Sequence, residues 1–320
     1  DSDSWINCPN AISIGKEVFR NWNKKGEGSL DVVGAIRRSC NTWFYQVGLR
    51  TGGENVSSMA RRLGFGSVTG IPLNAEEDGF MPSDAEHRKR FGVAFSHGYL
   101  AHASIGQGSV LSTPLQVAQM MAGIGNGFAV PKPRLVMQVQ DLNNNIIEAF
   151  EPVERNALNL NPGHLGLVRQ GMVDVVQSPS GTAKAARNNY VTMAGKTGTG
   201  EWVQKGEKLY LSWFAGFVPA EDPQYAFAAV CEGEPGEYIS GGKKSAPMVG
   251  EFFNAHYKGK SERGELGNYA RTATASSRTA VAATEGDSAT PAAPAATQPA
   301  PSTEREERRR GIFGFSRRRR

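Results

Sequence analysis

Cysteine is scarce in this chain. There are three in 320 residues, Cys8, Cys40 and Cys231. They are far apart, odd in number and show no Cys-x-x-Cys or His-x-x-x-His spacing, so neither a structural zinc site nor a disulfide framework is expected. No apolar run reaches the roughly 18–20 residues that a helix needs to cross a bilayer. Net positive charge is missing from most of the chain as well. The net charge is +5, and residues 301–320, with eight arginines and three glutamates, carry all of it. Residues 1–300 are neutral overall, which argues against nucleic acid as a partner. The chain opens on Asp1-Ser2-Asp3-Ser4 without a methionine or a signal peptide, and it reads as a piece of a longer protein.

Glycine and threonine, by contrast, concentrate in Met193-Ala194-Gly195-Lys196-Thr197-Gly198-Thr199-Gly200. β-branched and aromatic residues flank this stretch on both sides, so it reads as a strand. Glycines weaken a strand unless something must approach its backbone closely. The result is an open backbone edge with one cation and two hydroxyls, suited to an extended ligand that ends in a carboxylate. A phosphate-binding loop ending in Gly195-Lys196-Thr197 would need glycine at position 190, where the chain has Tyr190. A glycine-rich turn remains open, as does the Lys-Thr-Gly box of serine acyl-transferases.

Along the chain, residues 1–28 read as irregular. Asp31 caps a helix through Val32, Val33 and Ile36, which Ser39-Cys40-Asn41 interrupts. Asn55 is expected to cap a second helix that ends at Gly64, and residues 66–103 read as loop. Thr113-Pro114 starts a helix to about Ala122, where Gly123, Gly125 and Gly127 break it. Segments 135–140 and 146–150 form a hairpin around Asn143-Asn144-Asn145, and 165–176 is helical. Strands at 190–194, 210–218 and 225–231 are joined too tightly for crossover helices and should be antiparallel. A helix over 246–257 closes the ordered part. The fold class is therefore α+β, an antiparallel sheet flanked by helices. Ordered residues 1–258 are followed by an Ala/Thr/Pro-rich tail, 259–320, too poor in apolar surface to fold.

Ser39-Cys40-Asn41 places a hydroxyl and an amide two residues apart at a helix–loop junction, where they could face one cleft or simply cap a turn. It lies 157 residues before Lys196. Between and after the two come Leu63-Gly64-Phe65-Gly66 with Gly70-Ile71-Pro72, Ile105-Gly106-Gln107-Gly108 with Thr113-Pro114-Leu115-Gln116, Gly181-Thr182-Ala183, and Trp213-Phe214-Ala215-Gly216-Phe217 with Pro219. This ordered set, over roughly residues 5–257, resembles the transpeptidase domain of the class B penicillin-binding proteins, their cell-elongation branch above all.

The resemblance implies a β-lactamase/D,D-transpeptidase-like fold, incomplete at its N-terminus, and a D,D-transpeptidase that cross-links peptidoglycan stem peptides ending in D-Ala–D-Ala. It implies acylation by β-lactams, no cofactor or metal, a membrane glycosyltransferase as partner, and an extracytoplasmic place held by an anchor outside this chain. Ser39, Asn41 and Lys196 take catalytic roles: proton relay to the leaving amine, grip on the substrate amide, and the charge that docks the carboxylate and favours proton movement from Ser39. Thr197 and Thr199 offer hydroxyls to that carboxylate, Gly198 lets the substrate backbone approach, and the Thr199 N–H supplies half of an oxyanion hole. The family's nucleophile lies in a Ser-x-x-Lys motif tens of residues before Ser39. Ser13-Ile14-Gly15-Lys16 and Ser240-Gly241-Gly242-Lys243 match its letters without its context, so the nucleophile is expected outside this chain. Gly200-Glu201 departs from the small or amide residues that the family carries after the box. The alternatives are a non-catalytic wall-binding or scaffold domain, or a carboxypeptidase or β-lactamase relative.

Overall fold

The computed structural model describes residues 4–204 and 206–266. In chain order the elements are β1 (Ile6–Cys8), β2 (Ala11–Ile14), β3 (Glu17–Arg20), β4 (Gly28–Leu30), α1 (Val32–Arg38), α2 (Asn41–Thr51), α3 (Gly53–Arg62), α4 (Asp84–Phe91), α5 (His97–Ala103) and α6 (Pro114–Asn126). There follow β5 (Ala129–Pro131), β6 (Gln138–Gln140), β7 (Ile146–Ala149), β8 (Glu154–Ala157), α7 (Pro162–Gln177), β9 (Ala194–Gln204), β10 (Glu207–Val218), β11 (Tyr225–Glu232) and α8 (Ser245–Glu262).

The organising sheet has the order β11-β10-β9, antiparallel throughout, with β10 in the middle and β9 at an edge. Its position follows from β10, where Phe214, Ala215, Phe217 and Val218 are all buried, so both faces of the strand need cover. One continuous core joins these residues to Met121 of α6, Met172, Val175 and Val176 of α7, and Val249, Phe253 and Tyr257 of α8. This is the expected α+β class. A second, smaller core gathers Ile6, Cys8, Leu30, Ala35, Cys40 and Trp43, locking the β1–β4 ladder onto α1 and the start of α2.

Several local readings are corrected. The N-terminal segment, read as irregular over 1–28, holds strands among its described residues: β1 pairs with β4 and β2 with β3, in strands of three or four residues that are too short to show a period. Asn55 does not cap the start of α3; that cap is Gly52, and Asn55 Nδ2 reaches back to the Thr51 carbonyl at the end of α2 at 2.8 Å. The stretch 66–103 holds α4 and α5. α4 opens with a capping box in which Ser83 and Glu86 bond each other's backbone, a signal with too few apolar residues behind it to read as a helix. α6 runs through Gly123 and Gly125 and stops at Gly127. A side chain on Gly125 would crowd Phe217 and Pro223, so this glycine serves helix–sheet packing. The Lys-Thr-Gly box lies inside a strand, as expected, but β9 starts at Ala194 rather than at residue 190. α8 extends past residue 258 to Glu262, and Leu266 is buried in the main core. The tail from 267 onward lies outside the described residues, none of whose helices is long and apolar enough to cross a membrane.

Candidate active site

The turn that ends α1 sets the first wall. The Cys40 N–H donates to the Ala35 carbonyl at 3.0 Å and the Ser39 N–H to the Ile36 carbonyl at 3.1 Å, the bond pattern of a Schellman stop. The residue at its apex is usually glycine because it must be left-handed. Here it is Ser39, with φ 54° and ψ 46°. A non-glycine residue there costs about 1–2 kcal/mol, and the strain aims the Ser39 side chain at β9.

Lys196 meets it. Its Nζ donates to Ser39 Oγ at 2.7 Å and to the carbonyl of Thr197 at 2.7 Å, closing a gap of 157 residues in sequence. Both acceptors are neutral. Burial lowers the ammonium from the usual 10.5 to about 8, close enough to neutrality for the amine to exchange a proton with a hydroxyl.

The other residues of the box fall into place along the strand. Thr197 Oγ1 lies 2.7 Å from Thr182 Oγ1 in the loop after α7. The Thr199 carbonyl accepts from Gln107 Nε2 at 2.9 Å. Thr197 and Thr199 are two residues apart on an edge strand, so the same edge of β9 has one carbonyl held by Lys196 and the next by Gln107. The edge is therefore not free for strand addition as the sequence suggests: an incoming amide must displace Gln107 to reach the Thr199 carbonyl. Gly106 and Gly108 flank Gln107 with φ of +71° and +73°, and a side chain at Gly106 would meet open space.

Gly198 has a second neighbour besides any ligand. A side chain on Gly241 would stand 2.7 Å from the Gly198 carbonyl oxygen and would overlap the Trp213 carbonyl, so the turn before α8 lies directly on the box. The Cβ of Trp213, opposite Gly198 in the β10 ladder, would be 3.2 Å from a side chain there.

Asn41 is tied to the end of β3. Its backbone N–H donates to Asn21 Oδ1 at 2.9 Å, and its Nδ2 reaches the Arg20 carbonyl at 3.4 Å. Of the six residues singled out in the sequence, Ser39, Lys196, Thr197, Gly198 and Thr199 gather at one place, while Asn41 flanks it at the start of α2. Glu201 pairs with Lys208 across the hairpin at 2.8 Å. Ser13 and Lys16 sit exposed on the β2–β3 hairpin. Ser240 lies in the turn against the box, with Lys243 exposed. Thr182, Gln107 and Gly241 were not assigned roles from sequence. The first two lie in glycine-bearing triplets already noted, and those triplets were the available signal.

A family model described as the penicillin binding protein transpeptidase domain matches residues 1–254. The chain belongs to the penicillin-binding protein transpeptidase family. It is 31% identical over 229 residues to the peptidoglycan D,D-transpeptidase MrdA of Salmonella typhimurium, covering 67% of this chain and 36% of that protein. Among solved structures it resembles the penicillin-binding protein PBP2 of Helicobacter pylori, with TM-score 0.67, 31% identity, and coverage of 81% of this chain and 45% of that one. A second structure of that protein, in complex with MreC, matches at TM-score 0.67 and 31% identity over 81% of this chain and 46% of that one. The chain thus spans about a third of the length of the curated relative.

Proposed function

We propose that this chain is the part of a peptidoglycan D,D-transpeptidase that docks the donor stem peptide and relays protons during acyl transfer. The observation that carries the reading is the 2.7 Å bond from a desolvated Lys196 to the strained Ser39. A hydroxyl held in a costly conformation against an amine of near-neutral pKa is more than a core needs.

In this reading the C-terminal carboxylate of a D-Ala–D-Ala peptide enters beside Lys196, Thr197 and Thr199. Thr182 fixes the hydroxyl direction of Thr197. The Thr199 N–H faces the carbonyl under attack, and the Thr199 carbonyl takes the peptide amide once Gln107 has moved aside. A serine of the parent protein attacks the carbonyl carbon. Its proton passes by way of Ser39 to the departing D-alanine nitrogen, and an amine of a second stem peptide then releases the acyl group. Asn41 holds the substrate from the flank after giving up its contact with Arg20. Neither Ser13 nor Ser240 has the helical Ser-x-x-Lys setting that activates a nucleophile, and the attacking serine is proposed to lie outside this chain. The parent is proposed to be extracytoplasmic and membrane-anchored. It would work beside a membrane glycosyltransferase, with an MreC-like protein as a further partner by analogy with the Helicobacter pylori complex.

The test is labelling of the parent protein by a fluorescent penicillin. Lys196→Ala and Ser39→Ala should each slow acylation, Lys196→Ala by about 10²–10³, with the circular dichroism spectrum unchanged. Wild-type labelling rates in both variants would sink the assignment. In parallel, residues 1–320 alone should gain no mass with benzylpenicillin, and a stoichiometric adduct on Ser240 would make that serine the nucleophile.

A further inference from the structure

The spacing of the three cysteines speaks against a disulfide framework, yet the fold brings two of them together. Cys8 ends β1 and Cys40 is the N-cap of α2. Both are fully buried, at 0% exposure, and both belong to the small core with Ile6, Leu30, Ala35 and Trp43. Side chains of α2 grip the backbone on either side of Cys8. Thr42 Oγ1 donates to the Pro9 carbonyl at 2.9 Å and also lies 3.4 Å from Cys40 Sγ, while Gln46 Nε2 donates to the Asn7 carbonyl at 2.9 Å. The same helix that begins at Cys40 therefore pins residues 7 and 9. Burial, and next the adjacent Cys40 thiol, push the Cys8 thiol up to about 12. Cys231 is elsewhere, on β11 beside Ser245, with Ser245 Oγ 3.7 Å from its sulfur.

We propose that Cys8 and Cys40 are a disulfide-forming pair that ties the Ser39–Asn41 turn to the β1–β4 ladder. Cys40 is the middle residue of that turn, so the bond would fasten the strained Ser39 from its neighbouring position. It would close a loop holding β2, β3, β4 and α1. The oxidant is a disulfide, either oxidised glutathione or a disulfide-bearing oxidoreductase. One cysteine thiolate attacks a sulfur of that disulfide and releases one thiol. The second cysteine thiolate then attacks the mixed disulfide and releases the other thiol. The protein gives up two electrons and two protons, and the oxidant leaves as two thiols. Both sulfurs are sealed from solvent in the folded core, and burial keeps the Cys8 thiol protonated there. Closure therefore belongs to folding or to transient opening of β1, and the finished bond is shielded from reductants.

The experiment compares the whole chain made in a reducing compartment with the same chain made in an oxidising one. Both are denatured, alkylated and measured as intact proteins, then digested without reduction. The oxidised preparation should lack two hydrogens, alkylate only at Cys231, and yield a linked peptide pair containing Cys8 and Cys40. Cys231→Ser should keep the two-hydrogen loss and Cys40→Ala should abolish it. Because the readout is taken after denaturation, a poorly folding variant does not obscure it. Alkylation of all three cysteines in the oxidised preparation, a link through Cys231, or glutathione adducts in place of the linked pair would each overturn the proposal, leaving the two thiols as core packing.

Discussion

Lys196 should make the fold less stable at neutral pH than it need be. Its ammonium is lowered from 10.5 to about 8 by burial, and its two acceptors, Ser39 Oγ and the Thr197 carbonyl, are neutral. Below pH 8 the amine is protonated in both folded and unfolded chains, so the folded state bears the full desolvation penalty. Between pH 8 and 10.5 the folded chain has released the proton that the unfolded chain still holds, and stability rises with pH. Above 10.5 the rise is complete. Linkage over that interval gives about 2.5 kcal/mol between pH 7 and pH 10.

The comparison that isolates this effect is wild type against Lys196→Met, which keeps most of the stem and removes the titrating group. Urea unfolding followed by circular dichroism at pH 7, 8, 9 and 10 gives two stability profiles. Tyrosines, cysteines and other lysines titrate in both proteins and cancel in the difference. Wild type should gain on the variant by about 2.5 kcal/mol as pH rises from 7 to 10. At pH 7 the variant loses two hydrogen bonds worth about 1 kcal/mol each but is also relieved of the ammonium's desolvation penalty, so the two effects oppose and its stability should differ little from wild type. Parallel profiles would show that Lys196 is hydrated. A wild type that loses ground as pH rises would show that a carboxylate holds the amine charged, and the proton-exchange argument would fail with it.

Other outcomes follow from single contacts. Ser39→Gly should be more stable than Ser39→Ala by about 1 kcal/mol in urea, since both lose the hydroxyl but only glycine relieves the left-handed turn; equal stabilities would mean that the turn is not strained. Gly241→Ala should cost about 1–3 kcal/mol, because its methyl overlaps the Trp213 carbonyl, and an unchanged melting temperature would show that the turn before α8 can lift. Gln107→Ala should raise the rate of penicillin labelling of the parent protein, by freeing the Thr199 carbonyl, whereas a slower rate would make Gln107 a positioning residue. Truncation after Leu266 should leave the melting temperature within about a degree or two, but truncation after Lys258 removes the end of α8 and the buried Leu266 and should lower it by several degrees.

The fold was legible where apolar runs were long. Residues 210–218 and 225–231 read as strands because β-branched and aromatic side chains fill them, and they became β10 and β11. The helix expected over 165–176 is α7, Pro162–Gln177. The N-terminal strands were not legible: Ile6-Asn7-Cys8 has two inward positions, and its order comes from Leu30 and Trp43 packing on it, partners 22 and more residues away. α4 was hidden for the opposite reason. Asp84–Phe91 is mostly charged, and it is held by its capping box and by one buried side chain, His87, among the rings of Phe91, Phe95 and Tyr99.

The site was legible as a set of residue types and illegible as a set of distances. Serine, lysine and threonine in the right order identify a chemistry, and glycines between them show that something comes close. What comes close was only half foreseen. At Gly198 one close neighbour is the chain itself, through Gly241. At Thr199 the open edge is already occupied by Gln107. Both facts depend on where segments distant in sequence land, and no spacing rule encodes that. They also alter the physical account of binding. A peptide that adds to β9 does not meet an empty row of acceptors. It must exchange its own amide for the Gln107 amide at Thr199, so the hydrogen-bond count there barely changes, and affinity has to come from the carboxylate beside Lys196 and the two threonine hydroxyls.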